Sequence, residues 1–499
     1  MSLSFKYIPL TFLNDVNIIK EQIKNTVILR YLFDKYGAFS KLEKLITGTQ
    51  YGYNASALQS GKNKFLRISD ITDGKVDWDA VPFCDCSDED TYLLNKNDLL
   101  IARTGGTTGK SFIINNPPDK AIFAGYLIRI RANKENNPEF LNLFLNSYVY
   151  WSQVVSLNKG EFRPSVNATK LKDLIIPKID IEIQKEAINI SKGISVEGYD
   201  ELVIDIAKAL NEFDNSQEII KHCSIQLQNS ALLKQSILQE AIQGKLTADW
   251  REQNPDTESA SELLKRIKAE KDQLIKDKKI KKEKTLPPIT AEEIPFELPE
   301  GWVWCRLGDI FSTTSGGTPT KGNHRYWKGE ITWYKSGELN DGYLDIESHE
   351  KITQIGLKES SATLFPKGTL LIAMYGATAG KLAILGREAT TNQAVCGFFE
   401  NDNIITAYLF DFLLSNRSKM IKESWGMSQP NISQTYLRNF AFALPPFEEQ
   451  KAIVEKVETL MQKCQALEQE IKTSEANAQM LMQAVLKEAF EGKQEVVEV

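Results

Sequence analysis

The longest regular alternation of apolar and polar positions lies near the C-terminus, after Pro445-Pro446. Apolar or small residues recur there at alternating steps of four and three over about four heptads, which is typical of a coiled-coil seam. We therefore predict a long helix in this region. The seam positions are Ile453, Val457, Leu460, Cys464, Leu467, Ile471, Ser474, Ala478, Leu481 and Val485.

A related but less regular pattern runs from Val203 to Ala241, and the polar residues Gln217, Ser224 and Lys234 interrupt it. A helix of about 40 residues is about 60 Å long. Each of these two helices occurs once in the chain, so the simplest partner of each is the other. We expect the two helices to pack antiparallel, with a globular block at each end.

The N-terminal pattern predicts a capped amphipathic helix over residues 15–36. Asn14-Asp15 can cap its start and Gly37 can end it. One hypothesis is that this helix packs on the end of the coiled coil and completes a near-circular arrangement. Its apolar stripe consists of Ile19, Ile23, Val27 and Tyr31.

Before each of the two long-helix patterns, over about Phe39 to Ile181 and about Glu297 to Leu444, the chain contains short β-rich runs separated by Gly, Asn and Pro turns, and its features occur in both regions. The sequence LLIA at 99–102, followed by Gly109-Lys110, recurs at 370–373, followed by Gly380-Lys381. The sequence SILQEAIQGK, ending at Lys245, returns as AVLKEAFEGK at an offset of about 250 residues. A duplicated unit implies a duplicated task, so we expect two similar sites.

The composition is that of an ordinary folded chain with room for two or three cores, because 42% of the 499 residues are hydrophobic and 25% are charged. We find neither a secretory leader nor a long apolar run, and we expect a cytosolic protein. The six cysteines lack C-x-x-C spacing and only three histidines occur, so we predict no metal site. The net charge of −6 argues against a nucleic-acid-binding surface that is basic throughout, but it permits a local basic groove.

Two sequences resemble catalytic motifs without meeting their requirements. The stretch 104–111 has Thr104 in place of the first P-loop glycine, and the following residues read as a strand where a phosphate site needs a helix. Asn116-Pro117-Pro118-Asp119 resembles the motif with which amino-methyltransferases hold a flipped adenine, but Asp119 cannot stack on a base. We therefore predict no catalytic centre and no cofactor in this chain.

A basic stretch, 265–284, contains ten Lys or Arg and four acidic residues. Two interpretations of it stay open: a solvated helix and linker, or a segment that contacts phosphates.

Several segments together resemble the DNA-specificity subunit of type I restriction–modification systems. The most specific is PFELPEGWVWCRLGDI, from Pro295 to Ile310. The N-terminal 36 residues depart from the family pattern, and Tyr51-Gly52-Tyr53 stands where the second copy has GGTP. The other segments are Gly244 to Thr247, Ser261 to Ile267, Gly316 to Pro319, Tyr326 to Gly329, Gln429 to Ile432 and Pro445-Pro446.

This resemblance implies an α+β fold in which two similar mixed α/β target-recognition domains are joined by two long antiparallel coiled-coil helices, as a pseudo-twofold internal repeat. The expected segments are an N-terminal helical extension (1–37), target-recognition domain 1 (38–181), a central spacer helix (182–248), a basic helix and linker (249–296), target-recognition domain 2 (297–446) and a C-terminal spacer helix (447–499).

The resemblance also implies a non-catalytic subunit that binds double-stranded DNA. Each domain would read one half of a bipartite, asymmetric site, and the helices would set the gap, as subunit separation sets half-site spacing in dimeric repressors. The implied partners are two methyltransferase subunits, which methylate adenine N6, and ATP-driven motor–endonuclease subunits in the cytoplasm of a bacterium or archaeon. S-adenosylmethionine, ATP and Mg²⁺ would belong to those partners. The competing hypotheses are a protein-only coiled-coil scaffold and a stand-alone nucleic-acid methyltransferase.

Side chains that grip phosphates or read base edges are expected in loops at corresponding positions of the two copies. The competing interpretation is that Lys110 and Lys381 only cap a hairpin and that Asn431 only caps a turn. The candidates are Arg67 with Lys335, Arg163 with Gln429, and Lys110 with Lys381, together with Thr104, Tyr375 and Asn431.

Overall fold

The computed structural model describes residues 15–72, 74–158, 165–278, 285–424 and 431–491. The chain divides into two compact units, which we call unit 1 (Met1–Cys223 and Thr473–Val499) and unit 2 (Ser224–Lys472). Each unit combines helices with small sheets, so the predicted mixed α/β character is confirmed. Each unit also includes part of both long helices, whereas the predicted segments treat those helices separately; the segment boundaries stay a prediction.

Unit 1 is built around an antiparallel four-stranded sheet with the order β2-β10-β7-β8, and β3 pairs in parallel with β9 in a second sheet. The described strands of unit 1 are β1 (Phe39–Lys41), β2 (Ile46–Tyr51), β3 (Asn63–Leu66), β4 (Ile71–Thr72), β5 (Lys75–Val76), β6 (Phe83–Cys84), β7 (Leu99–Ala102), β8 (Ser111–Ile113), β9 (Ala121–Phe123), β10 (Leu127–Ala132) and β11 (Ile175–Pro177).

Unit 2 repeats this plan with an added edge strand, because its main sheet has the order β13-β21-β18-β19-β15 and β14 pairs in parallel with β20. The described strands of unit 2 are β12 (Val303–Arg306), β13 (Thr313–Ser315), β14 (Trp327–Tyr334), β15 (Gly342–Leu344), β16 (Lys351–Ile352), β17 (Leu364–Phe365), β18 (Leu370–Ala373), β19 (Leu382–Leu385), β20 (Ala389–Thr391), β21 (Val395–Phe398) and β22 (Ala441–Leu444).

The repeated LLIA sequence forms the central strands β7 and β18, and all four residues of each strand are buried. In β7, Leu99 and Ile101 belong to one hydrophobic cluster, whereas Leu100 and Ala102 belong to another. Successive side chains of a strand point to opposite faces of the sheet. The run is continuously apolar because both faces of the strand are covered.

Helices cover one face of each main sheet and also form the two long segments. The described helices are α1 (Val16–Tyr36), α2 (Glu89–Tyr92), α3 (Pro138–Leu145), α4 (Tyr148–Leu157), α5 (Ala168–Lys172), α6 (Ile181–Ser191), α7 (Asp200–Ile242), α8 (Ala248–Gln253), α9 (Ala260–Lys276), α10 (Leu307–Ile310), α11 (Gln354–Lys358), α12 (Thr406–Ser415), α13 (Arg417–Glu423), α14 (Gln434–Asn439) and α15 (Phe447–Glu491).

The two predicted long helices are confirmed as α7, with 43 residues, and α15, with 45 residues. Two of the polar interruptions of α7 turn out to be contacts with α15. In unit 1, Gln217 donates to the sulfur of Met482, and in unit 2, Lys234 donates to Glu468 (Nζ to Oε2, 2.8 Å).

The predicted seam of α15 is only partly right. Buried positions recur every seven residues from Val457 to Val485, but Leu467 and Leu481 are 47% and 48% exposed, and Ser474 is also exposed. A repeat of apolar positions does not say how wide the covered face is. Along most of α15, only one position of each heptad is buried.

Helix α1 is confirmed with both of its predicted caps. The Asp15 carboxylate accepts from the backbone N–H groups of Asn17 (2.9 Å) and Ile18 (3.2 Å), and Gly37 ends the helix at φ 59°. The Arg30 guanidinium donates to the carbonyl oxygens of Glu488 and Ala489 near the end of α15 (2.7 and 3.0 Å). Within unit 1, this helix therefore contacts the end of α15, whereas the near-circular arrangement stays a hypothesis.

The described part of the basic stretch is engaged with unit 2. Lys271 donates to the carbonyl oxygen of Gly308 (2.7 Å), and Lys268 lies 3.5 Å from the carboxylate of Asp309. These contacts hold α9 against α10. Residues 279–284 of the stretch lie outside the described residues.

Unit 2 should become more stable on mild acidification because of Asp411 on α12. Burial, and secondarily the charge of Glu458, raises the pKa of Asp411 from its ordinary value of 3.8 to about 7. The folded state then holds this proton more tightly than the unfolded state, so stability contributed by Asp411 is present below pH about 4 and is lost as pH rises through about 7. We expect Asp411→Asn to raise the thermal midpoint of unit 2 at pH 8 and to flatten its dependence on pH between 8 and 5. Asp402→Asn, at an exposed position, is the control; equal pH slopes for the two variants would contradict this assignment.

Candidate nucleic-acid interface

The loops that join β7 to β8 and β18 to β19 have the same backbone hydrogen bonds. In each loop an alanine before the loop bonds to the Gly-Lys pair after it, which confirms the predicted hairpins and fixes both lysine backbones. The closing bonds are Ala102 N to Lys110 O, Gly109 N to Ala102 O, Ala373 N to Lys381 O and Gly380 N to Ala373 O, each 2.8 Å.

The glycines of these loops adopt backbone angles that other residues rarely adopt. Gly105 and Gly109 both have φ 86°, and Gly376 and Gly380 have φ 79° and 81°. The residues after Lys110 continue as strand β8. The loop therefore lacks the helix N-terminus of a P-loop, as the sequence predicts.

Gly109→Ala is expected to destabilise unit 1 by about 2–5 kcal/mol, as a sum of left-handed backbone strain and overpacking. A Cβ atom at Gly109 would lie 2.7 Å from the Trp151 ring, and the Gly109 carbonyl accepts from the Tyr150 hydroxyl (2.8 Å). Gly105→Ala is the matched control, because Gly105 has the same φ but nothing within 4 Å of the added Cβ. Urea unfolding of both variants measures the difference; equal losses would show that the contact with α4 is unimportant.

In each unit a glycine backbone also packs closely against the start of the strand next to the hairpin, at Leu127 in unit 1 and at Val395 in unit 2. Gly52 N donates to Leu127 O (3.1 Å), and Gly316 N donates to Val395 O (2.9 Å). A Cβ at Gly52 would lie 2.1 Å from a backbone oxygen, and one at Gly316 would lie 2.4 Å from another. Gly52, within the sequence Tyr51-Gly52-Tyr53 that departs from the family pattern, thus takes the structural place of Gly316.

Arg67 and Lys335 lie beside these segments. The preceding residues accept equivalent hydrogen bonds, from Ala124 N to Leu66 O and from Asn392 N to Tyr334 O (both 2.9 Å). We use the name loop frame for three backbone features together. These are the hydrogen bonds that close the hairpin, the close packing of Gly52 or Gly316, and the hydrogen bond to the carbonyl of Leu66 or Tyr334. It brings Arg67 or Lys335 to the same edge of its unit as the hairpin.

Both of these cations are engaged in ion pairs within their unit. Arg67 donates through Nε and Nη2 to Asp70 (3.0 and 2.7 Å), and Lys335 Nζ donates to Glu350 (2.5 Å). The backbone N–H of Arg67 also donates to Asp70 (2.8 Å), and that of Lys335 donates to Glu338 (2.7 Å). Asp70 and Glu338 thus hold equivalent places in the two units, each three residues after the cation whose backbone N–H it accepts from.

The other predicted residues of unit 2 meet around the second hairpin. Tyr375 is 37% exposed, its hydroxyl donates to the Gln393 carbonyl (2.9 Å), and its backbone forms a bridge with exposed Asn431. Lys381 closes the same loop. In unit 1, Thr104 is exposed at the start of the hairpin that Lys110 closes. Arg163 and Gln429 lie outside the described residues.

Four side chains on these surfaces are not among the residues predicted from the sequence. Gln393 is exposed and bonds to the Thr318 hydroxyl in unit 2. In unit 1 the Arg103 guanidinium lies over the Tyr51 ring, and the exposed Tyr126 is joined to Arg103 through its backbone. The only signals in the sequence were the position of Arg103 next to Thr104 and the unusual Tyr51-Gly52-Tyr53.

The described residues contain no group of three or more His, Cys, Asp or Glu that could hold a metal ion. Within the same ranges, no helix is long and apolar enough to cross a membrane.

The duplicated loop frame defines a protein that presents one loop-built surface on each of two related units. The chain belongs to the family of type I restriction modification DNA specificity domains, whose model matches residues 42–193 and 299–474. The two matched segments contain the two hairpins.

Individual proteins show the same similarity. The chain is 34% identical over 266 residues to the type I restriction enzyme EcoAI specificity subunit of Escherichia coli, which covers 48% of this chain and 41% of that subunit. The chain thus spans less than half the length of this relative. It is 22% identical to the StySPI specificity subunit of Salmonella potsdam, over 91% of this chain and 88% of that subunit. A structure solved for complex assembly and conformational transition of a type I restriction–modification system shares the fold, with a TM-score of 0.52 and 18% identity over 92% of this chain and 98% of that chain.

Proposed function

We propose that this chain is the non-catalytic, sequence-specific DNA-binding subunit of a type I restriction–modification complex. The observation that carries the proposal is the loop frame, which is the same in both units while the side chains on it differ. A common scaffold with different side chains suits two related domains that each read a different half of an asymmetric site.

The ionic side chains on the loop frames suit contact with phosphates. The cationic side chains of Arg67 and Lys335 are 42% and 48% accessible. Lys335 and its partner Glu350 are both open to solvent, and exposed ion pairs contribute only about 0–1 kcal/mol, so Lys335 can exchange the carboxylate for a phosphate at little cost. Asp70 is only 10% accessible, so Arg67 would keep its ion pair and meet a phosphate with the exposed part of its side chain. Lys110 and Lys381 would position the hairpins on the duplex, with Thr104, Tyr375 and Asn431 beside them and with Arg163 and Gln429 as further candidates.

The proposal extends to architecture and partners. The two units would act as target-recognition domains, and α7 and α15 would form an antiparallel coiled coil with pseudo-twofold symmetry that sets the unread gap. Two methyltransferase subunits and ATP-driven restriction subunits would dock on this chain. They would supply S-adenosylmethionine, ATP and Mg²⁺. Family membership and the relatives that are themselves specificity subunits support this assignment.

Genome-wide adenine methylation tests the proposal. The full chain is co-expressed with its methyltransferase subunit, and the methylated positions are compared with those in cells that express the methyltransferase alone. We expect a two-part, asymmetric motif that requires this chain. A stable complex without a methylated motif would contradict DNA recognition and favour a protein-only scaffold. Methylation by this chain alone would instead favour a stand-alone methyltransferase.

A further inference from the structure

The first residue after the central strand differs in chemistry between the two units although its backbone is held in the same way. In unit 1, Arg103 N donates to Tyr126 O and Arg103 O accepts from Val166 N, both at 2.9 Å. The corresponding bonds of Met374 in unit 2 are made with Ala394 and Ile432, both at 2.7 Å. Arg103 and Met374 therefore occupy equivalent positions on the loop frame.

The Arg103 side chain is held by an aromatic ring. Its guanidinium carbon lies 4.7 Å from the centre of the Tyr51 ring, and the Tyr51 hydroxyl accepts from the Ala168 backbone N–H at the start of α5 (3.0 Å). A guanidinium stacked on a ring is fixed in plane while its N–H edge stays available for hydrogen bonds.

Arg103 is also unusual among the described arginines of unit 1, because its side chain forms neither an ion pair nor a hydrogen bond with the described residues. The other four donate to carboxylates or carbonyl groups within the unit. These four are Arg30, Arg67, Arg129 and Arg131.

The positions that carry Tyr51, Arg103 and Tyr126 in unit 1 carry neither a ring nor a charge in unit 2. Tyr126, which bonds to the Arg103 backbone, is 70% exposed. The residues that take the places of Tyr51, Arg103 and Tyr126 in unit 2 are Ser315, Met374 and Ala394, and Met374 is only 5% exposed. Because the backbones match, the two surfaces differ here only in their side chains, and therefore in what they can recognise.

We infer that Arg103, held over Tyr51, is a specificity-determining residue that reads a guanine in the half-site bound by unit 1. The inference rests on the proposed function. A guanidinium presents two parallel donors that match guanine O6 and N7 in the major groove, whereas a phosphate contact requires only charge. At the equivalent position, unit 2 has no such reader.

The test compares adenine-methylation motifs of the full chain carrying Arg103→Lys or Tyr51→Ser, each co-expressed with the methyltransferase. Arg103→Lys keeps the charge but loses the paired donors. We expect one guanine in one half-site to become degenerate, with its discrimination reduced about 10- to 100-fold, while the other half-site is unchanged. Tyr51→Ser, which copies unit 2, should weaken preference for the same guanine. Lys134→Ala is the control, because Lys134 is exposed in the turn after the opposite end of β10.

The outcomes separate this inference from the proposed function. An unchanged motif in both half-sites of Arg103→Lys would overturn the role of Arg103 and leave the proposed function intact. Uniformly weaker methylation with no change at any base would indicate a phosphate contact and would also overturn it. Absence of a bipartite motif for the unmodified chain would overturn the proposed function, and the inference with it.

Discussion

Replacing Glu449 by alanine is expected to lower the free energy of unfolding of unit 2 by about 3–5 kcal/mol, the usual cost of removing one partner of a buried ion pair. Glu449 lies near the start of α15 and is fully buried. One carboxylate oxygen accepts from the Thr247 hydroxyl (2.6 Å) and from Arg251 (2.5 Å), and the other accepts from the Trp302 indole N–H (2.8 Å). The variant would leave these donors without their acceptor.

The adjacent glutamate provides a matched control. Glu448 is exposed and pairs with Lys451 one turn later (2.8 and 3.0 Å), and such pairs contribute only about 0.3–0.5 kcal/mol. Thermal or urea unfolding of the full chain, followed at the transition of unit 2, compares Glu449→Ala with Glu448→Ala. Similar losses for both variants would show that the buried carboxylate does not organise this region.

Removing one heptad from each long helix is expected to shorten the gap in the methylated motif by about three base pairs. Seven residues rise about 10 Å, and one base pair rises about 3.4 Å. Deleting residues 221–227 and 471–477 together preserves the bonds of Ser230 and Lys234 with Glu468 on one side and the bond of Gln217 with Met482 on the other. The expected shift follows only if the helices set the separation of the two half-sites, as proposed.

DNA also turns by about 100° over three base pairs, since a turn contains about 10–10.5 base pairs. Methylation by the shortened protein should therefore be less efficient as well as differently spaced. Sequencing of methylated adenines measures both quantities, and Lys472→Ala, which changes an exposed residue without changing length, is the control. A bipartite motif with an unchanged gap would mean that the helices are only a scaffold.

The sequence predicts features that depend on neighbours along the chain. The caps of α1, the hairpins after the LLIA strands and the two long helices all follow from local spacing. The exposure of Leu467 and Leu481 does not, because periodicity locates a stripe without saying which parts of it another element covers. The contact of Arg103 with Tyr51 joins residues far apart in the chain, and only the folded sheet brings them together.

Three of the segments that resemble the family are structural. The segments Gly244 to Thr247, Pro299 to Trp302 and Pro445 to Gln450 meet at Glu449, and a Cβ at Gly244 would lie 2.6 Å from Pro299. Glu449 is fully buried, so these three segments serve the fold of unit 2, whereas Thr104 and Asn431, which are candidates for DNA contact, are exposed.

The loop frame has a consequence for how such a protein can change over evolutionary time. Its hydrogen bonds join backbone to backbone, so substitutions at Tyr51, Arg103 or Gln393 leave the frame itself in place. Under the proposed function, the side chains that read one half of the target can therefore change at a few exposed positions of one unit while the backbone of that unit and the other unit stay as they are.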